Sequence, residues 1–200
     1  SIWQVAPEIV LKETMHCNQT GNSSLFSALK NIDLSAYDSL AVGPGIGIDN
    51  DDWQKSKDFL LDFEGLLILD ADALNRISES KLGSNFFLER KFQTWITPHS
   101  KEFLRLFPNI KGDTNVALAI NAAEEFNISV LLKGANSIVA DNKKAWQLFG
   151  TDSQTARAGL GDLLTGFVAG NSAIDLNFSG NITTDYFAKY VLLHSFAASK

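Results

Sequence analysis

The stretch 156–166 holds the densest chemical signal in the chain, centred on Gly159-Leu160-Gly161-Asp162 and followed by Leu163-Leu164-Thr165-Gly166. Two glycines alternate just before an acidic residue, and an apolar run with helical spacing begins at once. Glycine lets a backbone approach a ligand closely. The first turn of a helix offers amide N–H groups with no intrahelical partner, and the positive end of its dipole; both suit a phosphate. A carboxylate at the same point is repelled by that phosphate unless it has work to do there. Taking the proton from a hydroxyl that receives a phosphoryl group is such work, and Asp162 is the candidate base. The structural alternative is a glycine turn with an aspartate that caps a helix.

Four further segments carry residue types suited to the same chemistry. Gly43-Pro44-Gly45-Ile46-Gly47 is a glycine-rich loop that matches neither the dinucleotide-binding fingerprint nor the P-loop; it is either a ligand cradle or a tight turn. Asp70-Ala71-Asp72-Ala73-Leu74-Asn75 places two carboxylates close together at a strand end. One can orient the crevice while the other caps a helix, with a water-mediated magnesium contact as a further role. Thr97-Pro98-His99-Ser100-Lys101-Glu102 sets His99 about one helical turn from Glu102, either against substrate or on a surface loop. Neither His16 nor His194 has a comparable setting, and no second ligand cluster supports zinc. Lys133-Gly134-Ala135-Asn136-Ser137 offers an ammonium and close backbone contact to a nucleotide; otherwise Lys133 is a loop lysine in solvent.

Hydrophobic periodicity predicts the elements that must position these residues. Strands are expected over 39–42, 65–70, 92–97 and 129–132, and helices over 51–63, 71–78, 100–107 and 114–126. Asp113 or Thr114 caps the last of these helices and Asn127 ends it. A hairpin is expected from 136–140 and 145–149 around Asp141-Asn142-Lys143-Lys144, followed by helices over 161–169 and 183–198. Continuous apolar strands alternating with helices imply a mostly parallel sheet covered on both faces, with ligands at the carboxyl ends of its strands. All four additional segments follow a predicted strand, so one crevice wall collects them.

Two hundred residues fit a single domain, residues 1–200, with a sizeable core. The composition is 45% apolar and 20% charged, that of a globular protein. A net charge of -6 argues against nucleic-acid partners but not against small anions held by backbone amides. Cys17 is the single cysteine, which excludes an intrachain disulfide and speaks against a cysteine-based metal site. A reducing cytoplasmic setting follows most simply, and no apolar run reaches the ~20 residues of a membrane span. The chain opens at Ser1 without a signal-peptide pattern and reads as lacking an N-terminal segment.

Together these segments resemble the ADP/ATP-dependent NAD(P)H-hydrate dehydratase family of ribokinase-like proteins. The resemblance rests on Val42 to Gly47, Leu69 to Asn75, Ile96 to Phe103, Leu132 to Ala135 and Gly159 to Gly166. It implies a three-layer α/β sandwich and a repair reaction on hydrated NADH or NADPH. ADP or ATP, with Mg2+, phosphorylates the added ring hydroxyl; phosphate then leaves and the dinucleotide is restored. By the same resemblance Asp162 is the catalytic base, and Gly159 and Gly161 stabilise the transferred group. Gly45, His99 and Asp162 contact the hydrated dinucleotide, and Lys133, Gly134, Ala135, Asn136, Ser137 and Gly161 contact the nucleotide; no resident metal ligand is implied. A homo-oligomer and a fused or partner epimerase domain are implied as well, and Trp53, Trp95 and Trp146 are compatible with an interface. The chain departs from the family at Leu160, where a serine or threonine is usual. Competing readings are a ribokinase-like kinase for a vitamin precursor or sugar, and a non-catalytic nucleotide-binding module.

Overall fold

The computed structural model describes residues 24–149 and 159–198; Cys17, His16 and Ala158 lie outside them. Helix α1 (Leu25–Lys30) precedes β1 (Ser39–Val42). Then follow α2 (Asn50–Asp62), β2 (Leu66–Leu69), α3 (Ala71–Glu79), α4 (Asn85–Glu89) and β3 (Thr94–Ile96). Next come α5 (Ser100–Leu106), α6 (Asn115–Phe126) and β4 (Ser129–Leu132). A hairpin of β5 (Ile138–Ala140) and β6 (Ala145–Gln147) follows, and then α7 (Leu160–Ser179) and α8 (Thr184–Ala198).

The six strands form one sheet in sequential order, β1 to β4 parallel and β5 and β6 antiparallel. Strand β2 is buried along its whole length, as a continuous apolar strand between two helix layers must be. The pleat sends alternate side chains to the two faces. Leu67, Leu69, Ile96, Val130 and Leu132 join the core beneath α1 to α6. Leu66, Ile68, Trp95 and Leu131 join the core beneath α7 and α8. Sequential parallel strands linked by right-handed crossovers deposit every intervening helix on the same face. The opposite face is left for α7 and α8, which arrive after the hairpin.

Helix α7 runs past the expected 161–169 to Ser179 and stops where Gly180 takes a left-handed backbone, φ 67. Gly166 and Gly170 lie within it. Each glycine costs roughly 1 kcal/mol of helix propensity, outweighed here by burial of Leu164, Thr165, Val168 and Ser172 along one face. The short helices α1 and α4 have no strong periodic signature and depend on tertiary contacts. The carboxylate of Asp52 on α2 accepts the amides of Leu25 and Phe26 at 2.9 and 3.2 Å, and Phe86 packs against Trp53. Thr114, not Asp113, caps α6, and Asn127 ends it with φ 51.

Trp53 and Trp95 are fully buried in this chain, so neither is available to an interface. Trp95 stacks on Phe187 at 4.5 Å. Trp146 on edge strand β6 is partly buried and lies under the Lys144 ammonium. At the amino ends of the strands Arg90 ties several elements together, donating to the carbonyls of Leu60 and Gly65 and to the Thr94 hydroxyl. Burial pulls its guanidinium down to about 10.

Candidate active site

The carboxyl ends of β1 to β4 converge on Asp70. This residue follows β2, is 1% exposed, and caps α3 by accepting the Ala71 amide at 2.8 Å. Its Oδ1 also accepts from Lys133 Nζ at 2.7 Å, and its Oδ2 from the Thr165 hydroxyl at 2.7 Å. Gly43, at the end of β1, abuts the Asp70 backbone so closely that a Cβ there would lie 1.8 Å from the Asp70 carbonyl oxygen. One side chain thus joins the ends of β2 and β4, which flank β3, to helices α3 and α7.

The two carboxylates of the Asp70-Ala71-Asp72 segment do different work. Ala71 between them has φ 45, in the region that disfavours side chains, and this local strain sends them in different directions. Asp72 Oδ2 accepts the Gly47 amide at 2.9 Å and so holds the glycine loop. With the Asp70 oxygens taken by Lys133, Ala71 and Thr165, the pair is not a preformed cation site. Among the described residues no group of three or more His, Cys, Asp or Glu side chains is placed to hold a metal ion.

His99 is neither loose on a surface loop nor free at both ring nitrogens. It caps α5: Nδ1 accepts the amides of Lys101 and Glu102 at 3.1 and 3.3 Å, and Glu102 accepts the His99 amide at 2.8 Å. An accepting Nδ1 places the proton of the neutral ring on Nε2, which lies 3.3 Å from the Glu102 carboxylate. The half-exposed ring is thus engaged at both nitrogens, Nδ1 by the helix amides and Nε2 by Glu102. Strand β4 brings Lys133 alongside: the Lys133 amide donates to the Pro98 carbonyl at 2.8 Å, and His99 and Lys133 form a parallel bridge.

Gly134, Ala135 and Asn136 are exposed beyond Lys133, and Ser137 closes the turn by donating to the Gly134 carbonyl at 3.2 Å. Gly45 is exposed in the glycine loop, with φ 71. Helix α7 reaches this end of the sheet from the opposite face, packing across β1 and β2. Gly159 is its N-cap, with φ 87 and no capping side chain. The amides of Leu160, Gly161 and Asp162 consequently have no intrahelical carbonyl to bond. The side chain that replaces a hydroxyl at Leu160 leaves this amide in place. A Cβ on Gly161 would lie 3.7 Å from Lys133 Nζ and 4.0 Å from Asp70 Oδ2, so the uncapped helix start sits directly beside the buried ion pair. Asp162 is exposed, does not cap the helix, and makes no hydrogen bond or ion pair among the described residues.

Gly161, Lys133 and Asp70 are brought together, with His99 alongside on the next strand end and Gly43 packed on Asp70. Three residues at this centre were not singled out from the sequence. Thr165 is one helical turn from Gly161, to whose carbonyl it also donates at 3.1 Å. Arg76 and Asp52 form a buried pair behind the glycine loop. The signal for Arg76 is its place among Ala73, Leu74 and Ile77 on the buried side of α3.

A mainly parallel sheet between helix layers, with glycine loops and an uncapped helix start gathered at its carboxyl end, defines a ribokinase-like α/β protein. The ADP/ATP-dependent NAD(P)H-hydrate dehydratase from Bacillus subtilis, co-crystallized with ATP/Mg2+, shares the fold. Its TM-score is 0.63 at 23% identity, over 96% of this chain and 58% of that one. A ribokinase-like superfamily protein from Enterococcus faecalis gives a TM-score of 0.66 at 25% identity, over 86% of this chain and 56% of that one.

In sequence, the family model for NAD(P)H-hydrate dehydratase matches residues 3–185. The bifunctional NAD(P)H-hydrate repair enzyme Nnr of Synechocystis sp. is 34% identical over 165 residues, covering 82% of this chain and 30% of the relative. Its counterpart in Methanopyrus kandleri is 34% identical over 151 residues, covering 72% of this chain and 28% of the relative. The chain belongs to the NAD(P)H-hydrate dehydratase family. It spans about 30% of the length of these curated relatives.

Proposed function

We propose that the protein of which this chain forms part restores hydrated NADH or NADPH by nucleotide-dependent dehydration. The observation that carries the reading is the start of α7 at Gly159, which has no side chain to cap it, beside the Lys133–Asp70 pair, with Asp162 in the same helical turn making no hydrogen bond or ion pair among the described residues. The amides at 160–162, which have no intrahelical partner, and the helix dipole stabilise charge on a transferred phosphoryl group. Asp162 takes the proton of the ring hydroxyl as its oxygen bonds to the terminal phosphorus of ADP or ATP, while the bridging P–O bond breaks and AMP or ADP leaves. The C–O bond then breaks, phosphate departs, and loss of a ring proton restores the reduced nicotinamide. Lys133, Gly134, Ala135, Asn136 and Ser137 seat the nucleotide. Gly45, the exposed part of the His99 ring and Asp162 contact the dinucleotide.

Magnesium fits this site as a companion of the nucleotide. Its ligands would be phosphate oxygens and water, since both Asp70 oxygens already accept hydrogen bonds from Ala71, Lys133 and Thr165. The B. subtilis structure obtained with ATP/Mg2+ supports this pairing. An epimerase domain, fused or separate, accords with the name of the bifunctional relatives. A cytoplasmic homo-oligomer completes the reading, and no helix among the described residues is long and apolar enough to cross a membrane.

The test is to incubate the full-length protein with hydrated NADH, Mg2+ and either ADP or ATP, and to follow the reduced-nicotinamide absorbance. Recovery with one of the nucleotides is expected; no recovery with either refutes the reading. A stable phosphorylated small molecule without dinucleotide recovery would point to a kinase instead.

A further inference from the structure

Arg76 is fully buried, yet the chemistry proposed above makes no use of it. Its Nε donates to the Gly47 carbonyl at 2.6 Å and its Nη2 to the Ile46 carbonyl at 2.5 Å. Its Nη1 pairs with Asp52 Oδ2 at 2.8 Å, which balances the buried charge. One turn earlier on α3, Asp72 accepts the Gly47 amide at 2.9 Å. Two side chains of one helix therefore grip the Gly47 amide and the Ile46 and Gly47 carbonyls of the loop that follows β1. Within that loop, Ile46 bonds back to the Gly43 carbonyl at 3.3 Å, and Gly43, Gly45 and Gly47 all have positive φ. Glycines confer little shape of their own, so the grip from α3 supplies it.

We propose that Arg76, with Asp72, is the positioning residue of the dinucleotide loop. Because Arg76 is inaccessible to solvent, the two carbonyls it holds point into the protein. A carbonyl oxygen turned toward the crevice would repel the phosphates of a dinucleotide. With both drawn inward, the exposed face of the loop at Gly45 is free of that repulsion and rigid before ligand arrives. Lysine cannot replace arginine here, since a single ammonium cannot span two carbonyls and a carboxylate in one plane. The inference rests on the reading that Gly45 contacts the hydrated dinucleotide.

The test compares Arg76→Lys and Asp72→Ala with wild type in the full-length protein. Asp72→Ala removes a half-buried contact and keeps the Arg76–Asp52 pair, so it remains informative if Arg76→Lys folds poorly. Both variants are expected to raise KM for hydrated NADPH about 10-fold, with KM for ADP or ATP and kcat changed less than about 3-fold. Amide hydrogen exchange at residues 45–48 is expected to quicken, while β2 and β3 stay protected. A general structural defect would instead raise both KM values together and expose the strands. Equal shifts in the two KM values, or unchanged exchange in the loop, overturns the proposal. Failure of the functional reading shows separately, as absence of turnover by wild type, and loop exchange then decides the inference by itself.

Discussion

Lys133 Nζ lies 2.7 Å from Oδ1 of Asp70, although 63 residues separate them in the chain. The aspartate is 1% exposed and the lysine side chain 25% exposed, so the carboxylate depends on the ammonium for compensation. Lys133→Met is expected to destabilise the protein by about 3 kcal/mol by leaving a buried charge unpaired. In an Asp70→Asn background the same substitution is expected to cost less than about 1 kcal/mol. Urea unfolding of the four proteins checks the cycle; additive costs would show that the two residues act independently.

Asp162 is exposed and unengaged among the described residues, so its removal has little to disturb in the fold. Asp162→Asn is expected to lower kcat at least ~100-fold in the dehydratase assay, the usual scale for loss of a general base. Its melting temperature should stay within about 2 °C of wild type. An active variant would remove Asp162 from the role of base.

Thr165 donates to Asp70 Oδ2 at 2.7 Å and to the Gly161 carbonyl at 3.1 Å, tying the first turn of α7 to the end of β2. Thr165→Val keeps the shape and deletes both bonds. It is expected to cost about 1–3 kcal/mol and to lower kcat by displacing the helix start. Thr165→Ser retains the hydroxyl and is expected to recover most of both losses. Equal behaviour of valine and serine would mean that the hydroxyl is not what matters.

Gly43 has φ 143, and a Cβ on it would meet the Asp70 carbonyl oxygen at 1.8 Å. Both sides of that clash are backbone, so no rotamer change relieves it. Gly43→Ala is expected to destabilise by about 2–4 kcal/mol. Gly45→Ala meets no atom within 4 Å and has only its φ of 71 to resist it, so about 1 kcal/mol is expected. Thermal unfolding of the two variants, side by side, measures the difference.

The sequence determined the order and type of the main elements. Apolar periodicity is a local property, and β2, β4, α2, α6 and the hairpin lie where it puts them. It also determined which strand ends carry reactive side chains, because Gly43, Asp70, His99 and Lys133 each stand within a few residues of a strand end. The family follows from those same segments.

The pairing of these groups was decided only in three dimensions. Local patterns relate residues a few positions apart. Asp70 meets Lys133 and Thr165 across 63 and 95 residues, and Arg76 meets the Ile46 carbonyl across 30. Those meetings require that β2 and β4 flank β3 in one sheet, that α7 crosses to the opposite face, and that α3 packs behind the glycine loop. They also settled the fate of side chains with two plausible roles. Trp53 and Trp95 went to the core, and the Nδ1 of His99 went to a helix cap. In each case burial or an unpaired backbone amide competed for the group, and only the packed chain brings the competitors within reach.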